Sequence, residues 1–188
     1  GFVWTPDSHR LLYWQDQAGN ENYHIYLTDI NSPAQKPIDL TPFENTRAGI
    51  HRIIRTDPEH VLITHNQRDK TVFDLYRLNL NTREQSLVAV NTGDVLAWIS
   101  DDEGHLRARF RKNKDDTRSL EVRDHIANTW KPLIKLELEE SAWFLGFTAD
   151  NKNTWMLSNR GRDRLSLVQL DLETGNEELI FEDPQVDL

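Results

Sequence analysis

Four polar loops of this 188-residue chain carry the side chains best suited to hold a charged ligand: QDQAGNEN (15–22), NQRDKT (66–71), KNKDDT (112–117) and NRGRDR (159–164). Binding residues concentrate on loops held by a rigid scaffold, and the planar arginine fork matches a carboxylate. Asn66, Arg68, Asn159 and Arg160 are therefore candidates for contact with a substrate, a peptide terminus or a partner domain. The competing reading is that NQRD and SNRGRD are self-satisfied turns whose arginines bond neighbouring carbonyl groups.

Other chemistry is thinly represented. The seven histidines, His9, His24, His51, His60, His65, His105 and His125, stand singly, with no HxH, HxxxH or HExxH spacing for a metal. DDEG (101–104) and the acidic run at 114–116 lack the alternating pattern of a calcium loop and read as solvated turns. No G-x-S-x-G sequence occurs to place a nucleophilic serine on a strand-to-helix elbow. The chain itself is expected to be non-catalytic, with no cofactor and no metal.

Composition narrows the partners. Lys and Arg number 22 against 31 Asp and Glu, a formal charge of −9, so a phosphate backbone would be repelled and nucleic acid is excluded as a partner. There are no cysteines, which removes disulfides and thiolate zinc sites. No apolar run reaches the roughly 20 residues of a membrane span, so no membrane partner is expected, and the start GFVWTPDSHR lacks a leader pattern. The expected compartment is the cytoplasm, or the periplasm if a signal peptide has been removed.

The elements that must position the loops repeat. YHIYLTDI (23–30), FDLYRLNL (73–80), SLEVRD (119–124) and LSLVQLDL (165–172) superpose Ile25, Leu75, Leu120 and Leu167 in one column. Asp29, Asn79, Asp124 and Asp171 form another, at steps of 50, 45 and 47 residues. Upstream of each lies an apolar run ending in a turn headed by Thr5, Thr56, Ser100 or Thr148, again at one period. Such side chains bond the backbone two residues on, with proline or glycine supplying the turn's φ. A β-type repeat of roughly 40–50 residues is the mark of propeller blades. Each unit holds four candidate strands, in the first FVW, RLLYWQ, YHIYLTD and KPIDL. LIKLELEESAWF (133–144) is assigned to strand and linker. The fold class is all-β: a β-propeller segment of about four antiparallel four-stranded blades, approximately 1–46, 47–92, 93–140 and 141–188. The six tryptophans are expected to fill the wedges between blades.

WTPDS, YWQDQAGNENYHIYLTDI, PIDLTPFENTRAGI, VLITHNQRDKTVFDLYRLNLNT and MLSNRGRDRLSLVQLDLETGNEELIFEDPQVD together resemble the N-terminal β-propeller of prolyl oligopeptidase family serine peptidases. The similarity is greatest to acylaminoacyl-peptidase and dipeptidyl-peptidase-like members, and least over 101–140. The resemblance implies a parent in which a C-terminal α/β-hydrolase domain carries serine, aspartate and histidine. The propeller would cap it and admit short peptide substrates. It also implies that this chain is an excised segment, since family propellers have more than four blades, and an open arc would self-associate. TPD-type turns occur in TolB-like and WD40-like propellers as well, so a stand-alone protein-binding module is the alternative. A hydrolase with a metal in a propeller channel is a third class.

Overall fold

The computed structural model describes residues 1–124 and 126–188; His125, one of the seven histidines named above, lies outside the described residues. Every regular element among them is a β-strand, so no helix is long and apolar enough to cross a membrane. The strands are β1 Phe2–Trp4, β2 Arg10–Gln15, β3 His24–Asp29, β4 Ile38–Asp39, β5 Ala48–Ile53, β6 His60–His65, β7 Asp74–Asn79, β8 Gln85–Ala89, β9 Val95–Ser100, β10 Leu106–Lys112, β11 Arg118–Asp124, β12 Thr129–Leu136, β13 Ala142–Phe147, β14 Asn153–Ser158, β15 Ser166–Asp171 and β16 Glu177–Phe181. They pair in sequence order into four antiparallel meanders, β1–β4, β5–β8, β9–β12 and β13–β16. The segment 133–144 is the end of β12, a turn and the start of β13.

The chain forms two compact units, one holding the first two sheets (Gly1–Gly93 with Asp102–His105) and the other the last two (Asp94–Asp101 and Leu106–Leu188). In the first, Leu12, Ile25 and Leu27 pack with Ala48, Val61, Ile63 and Leu78. In the second, Phe110, Leu120 and Ile134 pack with Ala142, Met156, Val168 and Leu170. Each core thus joins the faces of two successive sheets. Strands covered on both sides need no strict alternation, and β6 (HVLITH) buries Val61, Leu62 and Ile63 in a row.

Local hydrogen bonds explain the period. At the end of the third strand of each sheet, one side-chain oxygen caps the turn that follows. Asp29 Oδ1 accepts from the Asn31 amide at 2.8 Å, and Asn79 Oδ1 from Asn81 and Thr82 at 2.9 and 2.8 Å. Asp124 accepts from Ile126 and Ala127 at 2.9 Å each, and Asp171 from Glu173 and Thr174 at 2.9 and 2.7 Å. The turns between first and second strands also repeat: Thr5 Oγ1 donates to Asp7, and Thr148 Oγ1 to Asp150, both at 2.6 Å. The first turn has the expected proline, Pro6, while the left-handed positions fall to Ser8 and Asn151, at φ 61° and 56°, rather than to glycine. In the second sheet Asp57 does the capping, accepting from the Glu59 amide, one place after the expected Thr56.

One packing expectation is corrected, that of the tryptophans, and the repeat is not uniform in its burial. The column at Ile25, Leu75 and Leu120 is at most 1% exposed, but Leu167 is only half-buried and its neighbour Val168 is buried instead. The two cores are filled mainly by leucine, isoleucine and valine, with Phe110 and Met156 in the second; of the tryptophans, only Trp98 is buried, while Trp4, Trp14 and Trp143 are 47%, 37% and 54% exposed.

Candidate functional site

The loops between second and third strands start with a repeated clamp. Asn66, directly after β6, accepts the Arg47 amide on Oδ1 at 2.7 Å and donates its own amide to the Arg47 carbonyl at 3.2 Å. Asn159, directly after β14, does the same with Ser141, at 2.6 and 3.1 Å. Each asparagine locks its loop to the residue that precedes the first strand of its own sheet. Asn66 Nδ2 also donates to the Lys70 carbonyl at 3.0 Å.

The arginines bend back onto their own sheets. Arg68 bonds Asp74, the first residue of β7, and its Nη2 donates to the Asn91 carbonyl at 2.8 Å. Burial pushes the Asp74 carboxyl up, but the bonds from Arg68 and the Asn91 amide outweigh it, and the group lies below the usual carboxylate range. In the other unit Arg160 Nη1 lies 3.5 Å from Glu177 Oε1 and donates to the Gly175 carbonyl at 3.4 Å. Arg162 Nη1 bonds Glu177 Oε2 at 3.1 Å. The four residues singled out in the sequence therefore sit in two pairs, Asn66 with Arg68 and Asn159 with Arg160, one pair in each unit. All four bond within their own sheet's loops. Gly175 shapes the adjoining hairpin: its φ of 75° is left-handed, and a Cβ there would stand 2.8 Å from the Leu133 carbonyl oxygen.

The histidines are engaged locally. His24 Nδ1 lies 2.7 Å from Asp39 Oδ2, and His60 Nδ1 2.8 Å from Asp57 Oδ2. His65 is 1% exposed, stacked on Tyr76 with ring centres 3.9 Å apart, and its Nε2 donates to Gln85 Oε1 at 3.0 Å. Its Nδ1 then serves as acceptor for the Gln67 amide at 3.4 Å, which fixes a neutral ring. Burial lowers its pKa, and burial together with Arg52 lowers that of His51 to about 4.

Two open cavities flank the first loop. One, of about 420 Å³, is walled by Gln17, Asn20, Asn22, His24, Asp39 and Glu44. The other, of about 460 Å³, is walled by Trp14, Tyr23, Arg47, Thr64 and Phe73 among others. Arg47 and Asp39 were not singled out in the sequence. The available signal was their position in PIDLTPFENTRAGI, the connection between the first two sheets.

Four successive four-stranded antiparallel meanders with capped third strands define a β-propeller segment. Solved structures share that fold: TolB from Acinetobacter baumannii (TM-score 0.64, 15% identity, 98% of this chain and 43% of that chain) and an oligogalacturonate lyase in complex with manganese (0.68, 14%, 96% and 51%). A prolyl endopeptidase also matches (0.61, 14%, 95% and 26%).

The homologues in sequence are dipeptidyl aminopeptidases of the prolyl oligopeptidase family. Dipeptidyl aminopeptidase BIII of Pseudoxanthomonas mexicana is 26% identical over 189 residues, covering 100% of this chain and 27% of the relative. Dipeptidyl peptidase family member 6 of Caenorhabditis elegans is 24% identical over 204 residues, covering 98% and 25%. The chain thus spans about a quarter of the length of the curated relatives it matches. No protein-family model matches it.

Proposed function

We propose that this chain is the propeller part of a serine peptidase of the prolyl oligopeptidase family, and that it caps a C-terminal α/β-hydrolase domain and restricts entry to short peptides. The observation that carries this reading is the alignment of the whole chain with about a quarter of a dipeptidyl aminopeptidase. The chemistry of the chain supports it: no G-x-S-x-G elbow occurs, and His24, His60 and His65 bond Asp39, Asp57 and Gln85. Bond cleavage is therefore assigned to another region of the parent. The loops bearing Asn66, Arg68, Asn159 and Arg160 are assigned to contact with the peptidase domain or its substrate, the asparagines acting as struts for the loops. The parent's compartment is taken as cytoplasmic.

The test is the parent reading frame together with a peptidase assay. A frame that continues into G-x-S-x-G, then aspartate and histidine, with turnover of a chromogenic dipeptide by the parent and none by this chain alone, is the expected result. Turnover by this chain alone, or a frame without the elbow, overturns the reading; the second outcome leaves a stand-alone TolB-like or WD40-like protein-binding module.

A further inference from the structure

We infer that the cavity walled by Trp14, Tyr23, Arg47, Thr64 and Phe73 binds a carboxylate attached to an apolar or aromatic body, the arrangement found at the C-terminal residue of a peptide. The site lies in the first unit, among the ends of β2 and β6, the start of β5 and the residues just before β1, β3 and β7, with Gly1 against the Trp14 ring. Its volume of about 460 Å³ falls in the usual range for small-ligand sites, roughly 300–1,000 Å³.

Arg47 supplies the charge. Other arginines of the same unit are matched to carboxylates: Arg10 to Asp7, Arg68 to Asp74 and Arg77 to Asp57, each at 2.6 Å. Arg47 makes no ion pair among the described residues. Its guanidinium lies over the ring of Tyr23, 5.4 Å from the centroid. A guanidinium placed over an aromatic face turns its N–H edges outward, where they can meet a carboxylate two at a time. In a chain of net charge −9 an anion is repelled overall, so it binds only where a cation is presented without its own counter-charge.

The backbone that carries the cation is held in place: Asn66 grips both the N–H and the C=O of Arg47, and Lys70 Nζ donates to Oγ1 of the preceding Thr46 at 2.9 Å. Trp14, 37% exposed, provides a ring face for an apolar side chain, and Phe73 adds to the wall. Gly49 completes the wall without a side chain, and a Cβ there would meet only Thr64 Oγ1, at an ordinary 3.8 Å. Preorganised charge beside apolar rings is the combination that selects an aromatic or aliphatic acid over its neutral counterpart. This site rests on the geometry of the first unit, so it stands or falls separately from the peptidase reading.

The experiment is titration calorimetry on the purified chain at low ionic strength with four probes: Gly-Gly-Phe, its C-terminal amide, N-acetylphenylalanine and phenylacetate. The free acids are expected to bind about tenfold more tightly than the amide, with the tripeptide acid tighter than phenylacetate. Arg47→Gln, an exposed position whose change leaves the fold intact, brings the acids down to the level of the amide. Gly49→Leu, which fills the cavity, removes binding of all four, and Arg83→Gln, another exposed arginine, changes nothing. Acid and amide within twofold of each other, retained discrimination in Arg47→Gln, or no saturable binding up to about 10 mM overturns the site. Phenylacetate binding more tightly than the tripeptide overturns the assignment to a peptide terminus.

Discussion

Arg68 holds the carboxylate of Asp74 at two points, Nε donating to Oδ2 at 2.6 Å and Nη2 to Oδ1 at 2.8 Å. The carboxylate is 1% exposed and also accepts the buried Asn91 amide at 2.7 Å, so one group ties the loop after β6 to the segment after β8. Removing the acceptor of a buried donor costs about 1–3 kcal/mol. Asp74→Ala is expected to lose stability in that range, measured as a lower urea midpoint with an unchanged slope. An unaltered midpoint would mean that the three-way junction contributes nothing.

Asn79 stands where the other three sheets have aspartate, and its Oδ1 accepts two backbone amides of the turn. Removing such a capping oxygen costs roughly 1 kcal/mol by analogy with helix caps. Asn79→Ala is therefore expected to destabilise by that amount, while Asn79→Asp keeps the acceptor and stays within about 0.5 kcal/mol of the parent. Equal losses in both variants, seen in thermal melts at pH 7, would assign the role to the Asn79 Nδ2 contact with His60, 3.1 Å away.

Much of this was legible in the sequence because it is written in side chains that act on their nearest backbone. The Asp29, Asn79, Asp124 and Asp171 column is visible since each caps its own turn, two or three residues on. Asn66 and Asn159 stood out as first residues of polar loops, but their clamps on Arg47 and Ser141, 19 and 18 residues back along the chain, carry no local signal. Arg47 did not stand out, because what distinguishes it is the absence of an ion pair, whereas Arg10 and Arg68 find Asp7 and Asp74 within six residues along the chain. The tryptophans misled because ring size argues for burial, whereas Trp4 and Trp143 on the first strands β1 and β13 are half exposed and Trp98 on the first strand β9 is buried, a difference that strand position alone does not encode.

Acid stability follows from the two depressed histidines. His51 has a folded pKa of about 4 against an unfolded value of 6.5, so between those values the unfolded chain binds the extra proton. Stability is then complete above pH 6.5 and declines as pH falls toward 4, by on the order of 2–3 kcal/mol from His51. His65 shifts in the same direction and adds to the loss. The carboxyls of Asp7, Asp57 and Asp74, held low by their hydrogen bonds against burial, contribute only in more acid solution. Urea midpoints should hold from pH 7.5 to about 6.5 and fall from there to pH 4.5, and His51→Gln should flatten the fall. A flat profile in the parent would contradict the burial of both rings.

The second unit presents an apolar edge that water should not leave uncovered. The last strand, β16, exposes Leu179, Ile180 and Phe181 at 49%, 42% and 55%, and it pairs on one side only, with β15. Unpaired edges with apolar side chains recruit further strands unless charge or proline blocks them. Of the β16 residues only Glu177 and Glu178 are charged, at its start, so its second half is unguarded. Concentration-dependent self-association of the isolated chain is expected in sedimentation, suppressed by Leu179→Lys together with Phe181→Glu. In a parent whose next segment pairs with β16, the same double variant should instead lower stability without altering association. A monomer at every concentration for the isolated chain would show that the edge is too short to template another strand.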